Sequence, residues 1–233
     1  SKILDSAGGY EGFKNSFAIG KVSGKLQYSF SNEIETPKYD PNDLGFLISP
    51  NEVLNEIEVS YNIYEPTKMF LNQKYEVGVQ QSYLYKPFEY QKREFTASAF
   101  FIFKNFWDIK FEAAIAPFWY NDFFELQTPM DILSTPRQKL RRSPYYSFFI
   151  NGSSDSRKRL FVSWAVGAAE GPLPDDPYYQ VEVGTRFRFS DRLSAQVEYF
   201  RNYDNGQFGY AFFRDGITNA PILARRKYAD VTS

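Results

Sequence analysis

Polar and apolar positions alternate along most of this chain with a period of two. Ile57, Val59, Tyr61 and Ile63 fall on one face of an extended segment, and Glu56, Glu58, Ser60 and Asn62 on the other. Tyr75, Val77 and Val79 oppose Lys74, Glu76, Gly78 and Gln80. Trp107, Ile109, Phe111 and Ala113 oppose Asp108, Lys110 and Glu112. Val181, Val183, Thr185 and Phe187 oppose Gln180, Glu182, Gly184 and Arg186, and Leu193, Ala195, Val197 and Tyr199 oppose Ser194, Gln196 and Glu198. Successive strand side chains point to opposite faces, so this pattern reads as strand and not as the 3.6-residue helical period. It predicts strands near 13–22, 24–36, 54–65, 69–85, 93–104, 106–119, 144–153, 159–169, 178–189 and 193–203, with another beginning near 226. No segment offers an amphipathic helix.

The connections sort by length. Val22-Ser23-Gly24, Glu65-Pro66-Thr67-Lys68, Lys104-Asn105-Phe106, residues 154–158 and Ser190-Asp191-Arg192 read as tight turns. Between them lie longer loops at 37–53, 86–92, 120–143, 170–177 and 204–225. Short and long alternate, as in an up-and-down outer-membrane barrel with short periplasmic turns and longer extracellular loops. A soluble sandwich, crossed by Greek keys, has no reason to sort its loops this way. A propeller would repeat a blade motif, and none is found. Most expected strands are near the roughly 9–11 residues of a tilted membrane strand, above the roughly 5–6 usual in globular sheets.

Composition sharpens this picture. The chain carries 24 Phe and 18 Tyr, with aromatics at 19%, yet its mean hydropathy is −0.47. Large rings in a chain that is polar on average imply a polar neighbour for each apolar residue, as in two-faced strands. Many rings fall at expected strand ends, among them Tyr64, Phe70, Tyr85, Phe106, Trp107, Phe118, Trp119, Tyr179, Phe189 and Tyr203. Such rings suit the headgroup level of a membrane; the alternative is the aromatic core of a soluble β protein. No apolar run approaches the roughly 20 residues of a spanning helix, and the most apolar stretches are 97–103 and 113–120.

The expected fold is therefore all-β: a partial transmembrane up-and-down antiparallel β-barrel, with about eleven strands in residues 1–233. Bacterial barrels are normally even-stranded, and an open barrel leaves its edges unsatisfied in lipid. Further strands are thus expected, most simply beyond Ser233. Ser1 does not open a secretory leader; the span reads as barrel truncated at both ends.

One segment carries a resemblance. Tyr39-Asp40-Pro41-Asn42-Asp43-Leu44-Gly45-Phe46-Leu47, then Asn55-Glu56-Ile57 and Tyr61-Asn62-Ile63-Tyr64-Glu65-Pro66, resemble a Bacteroidota outer-membrane family of unknown function. Its members pair an N-terminal domain similar to carbohydrate-binding family 9 with a C-terminal barrel. The resemblance covers the whole chain within the barrel half, and implies at most a link to glycan binding or uptake.

Candidate chemistry is sparse. With no Cys and no His, disulfides, zinc-finger spacings, Cys nucleophiles, Ser-His triads and imidazole bases are excluded. Net charge is −1 with both signs interspersed, which gives no footprint for nucleic acid. Residues expected to line a lumen are Glu56, Glu58, Lys74, Glu76, Lys110, Glu112, Glu182, Arg186, Arg188 and Glu198. A glycosidase pair about 5–9 Å apart could arise among these carboxylates, but charged lumen walls are the barrel norm. Asp40, Asn42 and Asp43 resemble part of a calcium loop. Gly45 and Glu52 are out of register for one, so an Asx-type turn at Pro41 is favoured. Asp175, Asp176, Asp204 and Asp215 give other loops an acidic cast. Arg137, Lys139, Arg141 and Arg142 form a basic cluster that could meet lipid phosphate or a partner's acidic patch; a solvated basic run is the alternative. Gly8-Gly9 matches no phosphate-binding loop.

The functional expectation is a bacterial outer-membrane pore, gated channel or anchor. Its partners would be outer-membrane lipid and either glycan or other outer-membrane proteins, with no cofactor, no metal and no enzymatic role. The alternative is a structural or docking subunit of a larger outer-membrane complex. A carboxylate-dependent glycan hydrolase is a distant third. Phe100, Phe149 and Phe200 are expected to point inward with the polar residues, which favours an anchor or gated channel over an open porin.

Overall fold

A computed structural model of the chain describes residues 2–3, 10–39, 50–123, 139–171, 177–214, 221–227 and 231–232. Among them every regular element is a strand, and no helix is long and apolar enough to cross a membrane. Ten long strands follow one another: β1 (Lys14–Lys21), β2 (Leu26–Glu35), β3 (Glu52–Ile63), β4 (Phe70–Leu84), β5 (Glu89–Phe103), β6 (Asp108–Ala116), β7 (Tyr145–Ser153), β8 (Leu160–Glu170), β9 (Tyr178–Ser190) and β10 (Leu193–Tyr203). Each pairs antiparallel with its sequence neighbours, and Val231–Thr232 adds an eleventh strand beside β10. The sheet is open: β1 forms one edge and Val231–Thr232 the other.

Three shorter ladders lie outside this sheet: Lys2–Ile3 with Tyr10–Glu11, Tyr120–Asp122 with Leu140–Arg142, and Asn205–Arg214 with Pro221–Lys227. The last corrects an expectation. The sequence predicts a loop over 204–225 and a strand near 226, whereas Asn205–Arg214 and Pro221–Lys227 pair as a separate ladder. A second correction concerns 86–92. Here β4 and β5 run on to fifteen residues each, leaving only the turn at 85–88. Asn51 holds that turn: its side-chain amide donates to the Lys86 carbonyl at 2.9 Å and its side-chain oxygen accepts from the Lys86 N–H at 2.8 Å. Asn51 does so with a φ of 85°, a left-handed conformation that Asn tolerates better than most residues.

The register sorts side chains into two faces. One pleat row runs across all ten strands through Lys21, Tyr28, Val59, Val77, Ala97, Ala113, Phe148, Ala168, Tyr179 and Tyr203. These and their second neighbours form an apolar face. A row on the opposite face reads Gln27, Ser60, Glu76, Ser98, Glu112, Phe149, Gly167, Gln180 and Asn202. Paired positions share a face, so the alternation within each strand becomes a property of the whole sheet.

The first row also climbs. Lys21 is the last residue of β1, at the tight-turn rim, whereas Tyr203 stands ten residues from Leu193 at the opposite end of β10. The strands are therefore staggered against the hydrogen-bonding direction by about one residue per strand, the shear of a tilted sheet.

Burial is inverted relative to a soluble domain. The fully buried hydrophobic residues among those described are Leu84, Ala116 and Phe123. Glu35, Ser60, Asn62, Gln73, Ser82, Arg142 and Asp155 are buried instead. On the apolar face Ile19 is 65% exposed, Val77 57% and Val197 69%, so among the described residues no second layer covers it.

Candidate functional site

All ten residues expected to line a lumen fall on the polar face. Glu58 lies across from Ser29 and Gly78, Glu76 from Ser60 and Ser98, and Glu112 from Ser98 and Phe149. Glu56 pairs with Gln80, Lys74 with Asn62 and Phe100, and Lys110 with Phe100 and Asn151. Glu182 faces Phe200, Arg186 faces Gln196, Arg188 faces Ser194, and Glu198 faces Gly184. Register adds residues that alternation alone did not single out: Lys14, Glu33, Glu35, Glu52, Glu89, Lys92, Glu94 and Asp108 share this face. Twelve carboxylates (Glu33, Glu35, Glu52, Glu56, Glu58, Glu76, Glu89, Glu94, Asp108, Glu112, Glu182, Glu198) thus meet six cations (Lys14, Lys74, Lys92, Lys110, Arg186, Arg188).

Most cations are held by carboxylates two residues along or one strand across. Lys14 reaches Glu35 at 2.9 Å and also Glu33; Lys74 reaches Glu76 at 2.5 Å, Lys92 reaches Glu94 at 3.1 Å, and Lys110 reaches Glu112 at 2.6 Å. Neutral donors serve the acids too: Ser98 donates to Glu76 at 3.2 Å and Asn151 to Glu112 at 3.2 Å. The Tyr145 hydroxyl on β7 donates to Glu94 on β5 and accepts from Lys92 at 3.2 Å, bridging over β6. The bridge passes where β6 carries Ala116, paired to Tyr145 and fully buried. Polar side chains two strands apart can meet this way only where the intervening side chain is small.

A hollow of about 390 Å³ opens on this face. Gly78, Thr96, Ala114 and Ser147 form a row of small residues along its floor, and Glu58, Glu76, Lys110, Glu112 and Phe149 rise around it. Glu58 and Glu76, on neighbouring strands, both border this hollow. No group of three acidic ligands among the described residues could hold a metal ion. Phe149 stands between Glu112 and Gly167, and its ring reaches Tyr178 at 6.3 Å, again across one strand. Phe100 and Phe200 also lie on the polar face, as expected.

The two rims differ. On the tight-turn rim, Arg157 donates from Nε and Nη2 to Asp155, each at 2.8 Å, and its guanidinium lies 3.4 Å from the centroid of Phe106 in the neighbouring turn. That ion pair holds the Asp155 carboxyl down to about 2. Lys25 and Glu65 join two other turns at 2.9 Å; the contact raises the Lys25 ammonium and lowers the Glu65 carboxyl from their ordinary values. On the far rim the expected basic cluster is divided among partners. Arg142 bonds Asp122 at 3.0 Å, Lys139 bonds Glu89, and Arg141 lies 5.2 Å from the Trp119 ring centroid. Arg137 lies outside the described residues, as do Asp40, Asn42, Asp43, Asp175, Asp176 and Asp215.

The chain belongs to the family described as domain of unknown function DUF5916, whose model matches residues 1–233. No curated protein and no solved structure matches it.

Proposed function

We propose that this member of the family forms the wall of a transmembrane β-barrel in a bacterial outer membrane, with its polar face toward an aqueous lumen and its apolar face toward lipid. The observation that carries the reading is the inversion of burial across ten strands. An uncovered apolar face of this extent is untenable in water, since soluble monomers rarely expose contiguous patches above a few hundred Å², whereas lipid solvates it.

The stagger supports the same reading. Ten residues of climb at about 3.3 Å each, over nine interstrand steps of about 4.8 Å, correspond to a tilt of roughly 35–40°. Outer-membrane barrels tilt by about 35–45°. Height agrees as well. On the apolar face Asn55, Gln81 and Arg93 form a polar row, with Arg93 donating to Gln81 at 2.5 Å. Gln81 stands eleven residues from Phe70 and Arg93 ten from Phe103. At that tilt each residue rises about 2.6 Å along the membrane normal, so the row sits about 26–29 Å above the tight-turn rim, close to the top of an apolar band about 25 Å tall. In lipid both sheet edges must be paired, so the assembled barrel includes strands beyond the ten long ones.

The lumen favours passage of small polar or cationic solutes, because carboxylates outnumber cations on its wall. The resemblance of the 39–66 segment to barrels coupled to a sugar-binding-like domain makes glycan the first solute class to test. A second reading, an anchor or docking subunit with a filled lumen, draws on Phe100, Phe149 and Phe200 facing inward. Planar-bilayer recording of the purified full chain separates the two. Ohmic single-channel steps support the pore; a silent bilayer, with insertion shown independently, leaves the anchor.

A further inference from the structure

The five tight turns between paired long strands carry an unbalanced charge. Residues 22–25, 64–69, 104–107, 154–159 and 191–192 contain seven cations and only three carboxylates, although the whole chain has a net charge of −1. Two of those carboxylates, Glu65 and Asp155, are already held by Lys25 and Arg157. Lys68, Lys104, Lys158, Arg159 and Arg192 are exposed and form no ion pair among the described residues. Exposed rings stand at the same level: Tyr64, Phe106, Trp107 and Phe189. Arg159 lies over the outward Phe187, 5.5 Å from its centroid, so cation and ring share the outer side of the rim.

We propose that this rim is a binding surface for anionic phospholipid headgroups, the turn cations meeting lipid phosphates while the adjacent rings lie among the upper acyl chains. This rests on the membrane reading above and deepens it. Aromatic side chains mark the level of the membrane interface, and Lys and Arg near a membrane surface attract anionic lipid. With two of its three carboxylates already paired, the rim leaves five cations facing a single carboxylate, Asp191, and at this depth the other anions within reach are lipid phosphates.

The three tryptophans make the test direct, because Trp107 lies at this rim and Trp119 at the far one. Two single-tryptophan forms of the full chain are needed. Trp119→Phe with Trp164→Phe leaves Trp107, and Trp107→Phe with Trp164→Phe leaves Trp119. Each is reconstituted in phosphatidylcholine vesicles containing an equal fraction of either brominated phosphatidylglycerol or brominated phosphatidylcholine. At Trp107 the anionic lipid is expected to quench about twofold more strongly than the zwitterionic one at low salt. That preference should disappear on adding Lys104→Gln and Lys158→Gln, and Trp119 should show none. Equal quenching by both lipids at Trp107, or a preference that survives the two glutamines, overturns the headgroup site while leaving membrane insertion intact. No quenching by either lipid at either tryptophan overturns the membrane reading itself.

Discussion

The ring of Phe149 occupies the space that a side chain on Gly167 would need. A Cβ built on Gly167 would meet Phe149 Cδ1 at 2.0 Å and Cε1 at 2.1 Å. Glycine here has a packing reason: it lets an aromatic ring lie across β8 toward Tyr178. Gly167→Ala is expected to destabilise the folded sheet by about 1–3 kcal/mol through overpacking. Phe149→Ala in the same chain should restore most of that loss, as urea unfolding in vesicles would read. Equal destabilisation with and without the Phe149 ring would refute the packing argument.

The turn at Asp155 should respond to acid in a defined window. Its carboxyl is held at about 2, down from the usual 3.8, by Arg157. A depressed carboxylate contributes stability that is fully present above the unfolded value and lost as pH falls through the folded one. The Asp155–Arg157–Phe106 contact should therefore be intact above about pH 4 and lost progressively toward pH 2. A carboxyl-carbon NMR titration should place the Asp155 midpoint near 2; a midpoint at 3.8 would show the ion pair to be absent.

Charge on the polar face should set selectivity. With twelve carboxylates facing six cations, an open lumen is expected to pass cations in preference to anions. Replacing Glu58 and Glu76 together by Gln should lower that preference, read as a reversal potential under a salt gradient moving toward zero. An unchanged potential would place these two groups away from the ion path.

The two faces should differ in tolerance. Val77→Arg puts a cation on the apolar face and is expected to cost about 2–4 kcal/mol if the site is near the bilayer midplane. Ser98→Arg on the opposite face, one strand across from Glu76, should cost much less. Comparable losses at both positions would argue that lipid contacts neither face.

The strands were legible in the sequence because a face-to-face difference leaves a period-two trace in every strand. Ten expected segments fall within about four residues of the observed ones. The hairpin Asn205–Arg214 with Pro221–Lys227 escaped because Gly206 and Gly209 interrupt the pattern and Tyr210-Ala211-Phe212-Phe213 places apolar residues side by side. The start of β5 was not legible because the three consecutive polar residues of Tyr90-Gln91-Lys92-Arg93 break the period-two alternation. The polar-face residues were legible one strand at a time. The hollow was not, because which small residues become neighbours depends on cross-strand offset, and that offset is shifted by bulges between Phe70 and Asn72 and between Ser82 and Tyr83.

The most direct test of the central claim is the accessibility of nitroxide labels placed singly along β4, from Lys74 to Gln80, in the reconstituted chain. The account predicts that collision with oxygen, which concentrates in lipid, peaks at 75, 77 and 79. Collision with a water-soluble nickel chelate should peak at 74, 76, 78 and 80, so that the two profiles alternate out of phase with a period of two. Equal access of the water-soluble reagent to both sets of positions would contradict a lipid-facing apolar surface, and with it the transmembrane barrel.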